Sequence, residues 1–191
     1  LPIFGPSARS MVPLLVHALK DPSPEVQIHA ARALGALGTD AEPAAPALSA
    51  RLRESAGALR AAIIQALGRL GPAAAEALPE LTLILDGDSD ELRVAALQTL
   101  GGIGRRAAES ADRVVALCTN SVPAVRAAAV AVIGRIQEAP EPLLKLYGAA
   151  VEDPEGVVRK AAAEGFGRLG QAAQGHAPKL FAMLNNAEER D

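Results

Sequence analysis

Four arginines stand at one fixed step along this chain: Arg60, Arg93, Arg126 and Arg159, each 33 residues after the last (60 to 93, 93 to 126). Each follows by six residues a turn position held by Glu54, Gly87, Asn120 or Asp153, and Asp21 with Gln27 makes the first such pair. A column of guanidinium forks suits two kinds of chemistry, binding of phosphates and bidentate pairing with carboxylates. The phosphate reading needs surplus positive charge beside the column. The sequence has 19 Lys and Arg against 22 Asp and Glu, a net charge of −3, and only 2% aromatic residues on which a base could stack. Nucleic acid is therefore disfavoured as a partner, because both phosphate neutralisation and stacking lack their side chains.

Other chemical signals are weaker still. Gly165, Gly167 and Gly170 spell the dinucleotide fingerprint GxGxxG. That loop works only after a strand and at the start of a helix, where its amides face a pyrophosphate, and here the glycines fall at the end of a helical pattern. His17, His29 and His176 are scattered, without clustered Cys or carboxylate partners. His29 shares a column with Ala62, Ala95, Ala128 and Ala161, so a packing or edge role is expected. The lone Cys118 occupies the column of Leu19, Leu52, Leu85, Val151 and Leu184 and is expected as a buried small apolar residue. A single cysteine allows no intrachain disulfide, which fits a reducing, cytoplasmic setting. No catalytic triad, metal or cofactor site can be assembled from these residues, and no enzyme activity is expected.

The elements behind these columns repeat. Gly35, Gly68, Gly101, Gly134 and Gly167 follow one another at 33 residues (35 to 68, 68 to 101), and apolar neighbours such as Leu34 and Leu37 or Leu67 and Leu70 accompany them. Such a period marks stacked repeats, each touching only its neighbours. Two helices are read in each unit. The first spans Ser10–Lys20, with Val12, Leu15, Val16 and Leu19 three and four apart, and a proline recurs in its first turn at Pro13, Pro46, Pro79 and Pro178. Turns rich in Asp, Ser and Pro follow, among them Asp21-Pro22-Ser23-Pro24 and Asp153-Pro154-Glu155. The second helix is predicted over Glu25–Leu37, Ala58–Leu70, Glu91–Ile103, Ala124–Ile136 and Val157–Leu169. Its stripe begins Val26, Ala30, Ala33, Leu34 and Leu37, and Gly38, Gly71, Gly104 and Gly170 stand just past its ends. Gln137 replaces that glycine once, and with Pro140 and Pro142 it predicts a different junction there.

These columns divide the chain into a stump (1–5), five full repeats (6–38, 39–71, 72–104, 105–137 and 138–170) and a half repeat (171–191), read as one solenoid. Neither end shows a polar capping repeat, so the chain is expected to be a piece of a longer protein, with end-to-end self-association through Phe181 or Leu184 as one consequence. No run of 18 apolar residues occurs, and membrane insertion is not expected.

The joint pattern resembles the HEAT-repeat family, in particular the short bacterial-type repeats also found in phycobilin lyase-like proteins. It is carried by the first-helix prolines, by the Asp21-Pro22 and Asp153-Pro154 turns, and by the pairs Leu59-Arg60, Leu92-Arg93, Val125-Arg126 and Val158-Arg159 before LGxLG-like closings. The resemblance implies an all-α fold, an α-solenoid of stacked antiparallel helix pairs in a right-handed superhelix, whose second helices line the concave side. It also implies that acidic turn residues and the arginines bond between successive units, giving a ladder of Asp21, Glu54, Arg60, Arg93, Arg126, Asp153 and Arg159. Some HEAT-like hydroxylases hold di-iron through His-Glu dipeptides and some HEAT-like glycosylases use aromatic and basic residues. This chain has no His-Glu and lacks the latter set, so neither activity carries over.

A binding surface remains. At 100° per residue from the apolar stripe, the second-helix positions facing furthest outward are those of Ile28, Arg32 and Gly35. Down the stack the first two columns give Ile28, Ala61, Val94, Ala127 and Lys160, then Arg32, Gln65, Gln98, Ala131 and Glu164. The face is small and weakly polar, as a groove for a peptide or helix would be, although Ala-rich helices packing on a neighbouring segment of the same chain would look alike. The expectation is a non-enzymatic scaffold binding another protein or peptide through Ile28, Arg32, Gln65, Val94, Gln98, Lys160 and Glu164. The alternative is an accessory subunit, lyase-like or chaperone-like, that presents a cofactor or substrate to another protein.

Overall fold

The computed structural model describes residues 7–87 and 89–176. The stump and the half repeat's helix, with Pro178, Phe181 and Leu184, lie outside the described residues. The chain divides into two compact units, Leu1–Glu109 and Ser110–Asp191.

The first unit contains α1 (Ser7–Ser10), α2 (Val12–Ala18), α3 (Pro24–Leu37), α4 (Ala45–Glu54), α5 (Gly57–Leu70), α6 (Leu78–Gly87) and α7 (Asp90–Ile103). The three long second helices α3, α5 and α7 lie side by side, and α2 packs on α3, α4 on α5 and α6 on α7. The core runs along that seam. Ile63, Ile64, Leu67 and Leu70 of α5 are fully buried, as are Leu34 of α3 and Leu97 and Leu100 of α7. Each such side chain contributes about 1.5–3 kcal/mol of transfer free energy on leaving water. Val26, in the first turn of α3, breaks the predicted stripe: it is 40% exposed.

Each second helix starts one residue earlier than predicted. Prolines supply the first residue of α3 (Pro24), as an N1 position accepts, and the Ser23 and Ser89 hydroxyls accept the Val26 and Leu92 amides at 3.4 and 3.3 Å. The first helix of the first repeat is shorter than predicted and broken at Met11. A further element escaped the two-helix reading. Between second and first helices lie 3-10 segments, Gly38–Ala44 and Gly71–Ala77, with a third at Gly104–Ser110. Gly38, Gly71 and Gly104 open them at φ of 56°, 65° and 71°, which a side chain resists. Their inward residues Ala41, Ala44, Ala74 and Ala77 are fully buried, and Gly71–Ala77 packs on α4.

The second unit contains α8 (Ala111–Leu117), α9 (Pro123–Ile136), α10 (Pro140–Ala150) and α11 (Gly156–Leu169), followed by a 3-10 segment, Gly170–His176. Helices α9 and α11 pair as the long second helices. Between α9 and α10 the pattern changes. Gln137 takes φ −119° and ψ 139°, an extended conformation, and Ala139 then caps a helix that begins at Pro140. No 3-10 segment forms there. Tyr147 of α10 is fully buried between α9 and α11, 5.6 Å from the Phe166 ring centre. Glycines make room for it, because a Cβ on Gly134 or Gly165 would collide with its ring or hydroxyl.

Candidate partner-binding face

Glycine sets the shape of the second-helix surface in the first unit. A Cβ on Gly35 would lie 2.9 Å from the Ala66 Cα, one on Gly68 would lie 3.0 Å from Thr99 Oγ1, and one on Gly102 would lie 2.7 Å from the Gly68 carbonyl oxygen. The column expected to face outward is therefore the contact line at which α3, α5 and α7 approach most closely, and Gly35 and Gly101 are buried. The projection erred because a residue without a side chain can sit in a seam closed to any larger one. Thr99 spans it, with its hydroxyl 2.9 Å from the carbonyls of both Ile64 and Ala95.

Two depressions lie on this surface. One, between α3 and α5, has a volume of about 220 Å³ and is bordered by Arg32, Gln65 and Arg69. The other, between α5 and α7, has about 420 Å³ and is bordered by Gln65, Arg69 and Gln98. Sharing Gln65 and Arg69 makes them one shallow trough. Arg32, Gln65, Arg69 and Gln98 are all exposed. No carboxylate borders either depression, and neither Arg32 nor Arg69 forms an ion pair among the described residues. Sequence reasoning missed Arg69, whose signal was its place four residues after Gln65, on the same helix face. Ile28 and Val94 are half-buried and line neither depression, while Lys160 and Glu164 are exposed on α11, in the other unit.

The arginine column serves the turns. Arg126 donates to the carbonyls of Asn120 and Ser121 at 2.8 and 3.2 Å, and Arg159 donates to those of Asp153 and Pro154 at 2.9 and 2.7 Å. Arg93 reaches the Leu85 carbonyl at 3.0 Å and pairs with Asp90 of its own repeat. Gln27 donates to the Asp21 carbonyl at 2.5 Å and accepts from Arg51 at 2.7 Å. Glu54 pairs with Arg51 at 3.3 Å, and Arg60 is half-buried. Between repeats, Arg126 grips Asp153 with two bonds of 2.9 Å. That guanidinium holds the Asp153 carboxyl below its ordinary pKa. Asp153 Oδ1 also accepts the Glu155 amide at 2.9 Å, as Asn120 Oδ1 accepts the Val122 amide and Asp21 Oδ1 the Ser23 amide. Other rungs in the first unit join Arg9 to Asp40 and Arg53 to Glu80.

His29 is exposed and lies 2.8 Å from the Glu25 carbonyl through Nδ1. Cys118 is half-buried and not in the core as expected, and burial pushes its thiol pKa up to about 12. Among the described residues, no group of three or more His, Cys, Asp or Glu is placed to hold a metal ion, and no helix is long and apolar enough to cross a membrane.

Stacked antiparallel helix pairs at a 33-residue period, with a shared seam of small residues, define an α-solenoid. The chain belongs to the HEAT-repeat family, whose description as HEAT repeats matches residues 5–68 and 78–167. No curated protein matches it. Among solved structures it is similar to a chain in the complex of CpcE and CpcF of phycocyanin lyase from Nostoc sp. PCC7120, with 25% identity and a TM-score of 0.62. That likeness covers 83% of this chain and 64% of the other, so this chain spans under two thirds of it. It is also similar in fold to a designed armadillo repeat protein in complex with the peptide (KR)4, with 18% identity, a TM-score of 0.65, and 90% and 87% of the two chains covered.

Proposed function

We propose that this chain is a non-enzymatic scaffold that holds an extended, carboxylate-bearing segment of another protein in the trough along α3, α5 and α7. The observation that carries the reading is the pair of unpaired arginines, Arg32 and Arg69, bordering a trough without a carboxylate on a chain whose net charge is −3. Gln65 and Gln98 stand one repeat apart along the trough, and each amide can donate to and accept from a backbone in extended conformation. In the phycocyanin lyase structure a similar chain is found in a complex of two proteins, which supports a protein partner.

The test replaces Gln65 and Gln98 in turn with a photo-crosslinking residue in the source cells and identifies the adducts by mass spectrometry. A discrete protein crosslinked from both positions, and lost from an equally folded Arg32→Glu, Arg69→Glu chain, is the expected result. Adducts indifferent to the charge reversal would remove the trough from the function. A second reading, the accessory subunit that presents a cofactor, draws on that lyase likeness alone; it predicts absorbance above the protein band in the purified protein. Nucleic-acid binding, by contrast, would show retention on immobilised DNA that falls steeply with salt.

A further inference from the structure

In the first unit, the 3-10 segment Gly71–Ala77 covers α4, and the α4 residues beneath it are sealed: Ser49 is 4% and Leu52 0% exposed. Two repeats along, at a step of 66, the same positions are Val115 of α8 and Cys118 at its C-terminal cap. Val115 is 41% exposed and Cys118 is half-buried. The cause is Gln137. At the position where Gly38, Gly71 and Gly104 turn into a 3-10 segment with positive φ, Gln137 is extended, and the covering segment is never made. A groove of about 640 Å³ is left between α8 and α10, walled by Val115 and Cys118 on one side and Leu143, Leu146 and Ala149 on the other. Its volume lies within the usual range of ligand sites.

We propose that this groove is a docking slot for a helical turn of a partner chain carrying two small apolar side chains three residues apart. The molecule itself supplies the template: Ala41 with Ala44, and Ala74 with Ala77, fill the corresponding space in the first unit with no exposed surface. Charge supports an occupant of mixed sign. Asp112 on α8 and Lys145 on α10 border the groove and form no ion pair among the described residues, so a base on the occupant suits one wall and an acid the other. The Arg126–Asp153 pair at the groove is satisfied within the chain and adds no unpaired charge. The slot is independent of the trough on α3, α5 and α7.

The test titrates the isotopically labelled protein with a capped synthetic peptide of residues 70–78, followed by amide chemical shifts. Shifts confined to α8 and α10 are expected, with a Kd of about 1 mM or tighter. The same peptide carrying Ala74→Glu and Ala77→Glu should produce none, and Val115→Glu in the protein should weaken binding at least about tenfold. A second chain replaces residues 137–143 with the sequence of residues 71–77, equal in length, which restores the glycine turn. Its slot is then filled from within, so the peptide shifts vanish and Val115 is covered. Silence at about 5 mM peptide, shifts located on α3, α5 and α7, or shifts that persist in the refilled chain would each overturn the proposal. Shifts that grow with protein concentration alone would give the slot to a second copy, and shifts from an apolar dye with none from the peptide would give it to a small molecule. Either would also overturn it.

Discussion

Asp153 joins two devices that the sequence spaces separately, the turn of its own repeat and the guanidinium of the repeat before. Its side chain is 13% exposed, as is that of Arg126, so water screens the pair far less than it does the surface rung of Arg9 and Asp40. Because the guanidinium lowers the folded-state pKa of Asp153, the stability it supplies is fully present above the unfolded carboxyl value and is lost as pH falls through the lowered one. Asp153→Asn removes the charge while keeping the turn, since Asn120 makes the same backbone bond one repeat earlier. The variant should melt several degrees lower than the parent near neutrality, with the gap narrowing in acid once the pH falls below the unfolded carboxyl value of about 3.9. Parallel melting curves at both pH values would show that the pair contributes no net stability. The sequence placed Arg126 and Asp153 in columns through the period, but it could not show which column members meet. That depends on side-chain length and on what the neighbouring turn offers, and Arg51, one column away, reaches Gln27 instead.

At the level of elements, glycine decides how close two helices come. Gly165 lies against the Tyr147 ring, whereas nothing lies within 4 Å of a Cβ built on Gly148 of α10. The two positions should respond oppositely to one methyl group. Gly148→Ala is expected to stabilise the protein by about 0.5–1 kcal/mol through backbone entropy, and Gly165→Ala to destabilise it by about 1–3 kcal/mol through overpacking. Urea unfolding of both variants measures this, and equal signs would sink the account. The long helices were legible beforehand because apolar residues recur every three or four positions over fourteen-residue stretches such as Pro24–Leu37. The 3-10 segments were not, since seven residues such as GPAAAEA carry no period of their own. Gly167 is exposed as expected, but at Gly35 and Gly101 the outward glycine column was misread for a related reason: hydropathy does not distinguish a glycine in water from a glycine in a seam.

For the molecule, stability in a repeat array is a sum over neighbouring interfaces, so it varies along the chain. In the first unit α5 is flanked on both sides, by α3 and α7, and holds the fully buried Ile63, Ile64, Leu67 and Leu70. Native-state hydrogen exchange should find the slowest amides of that unit in the centre of α5 and the fastest in α1 and α2. Uniform protection across α2–α7 would mean that the unit opens as one block. The array also bears on recognition. A strictly periodic surface offers a ligand several equivalent seats, and binding one seat out of place costs nothing. The interruption at Gln137 ends that degeneracy around α8 and α10: the seat is unlike its neighbours, so a partner engaging it finds a single registry mark, as a gauge finds the one notch cut differently from the rest.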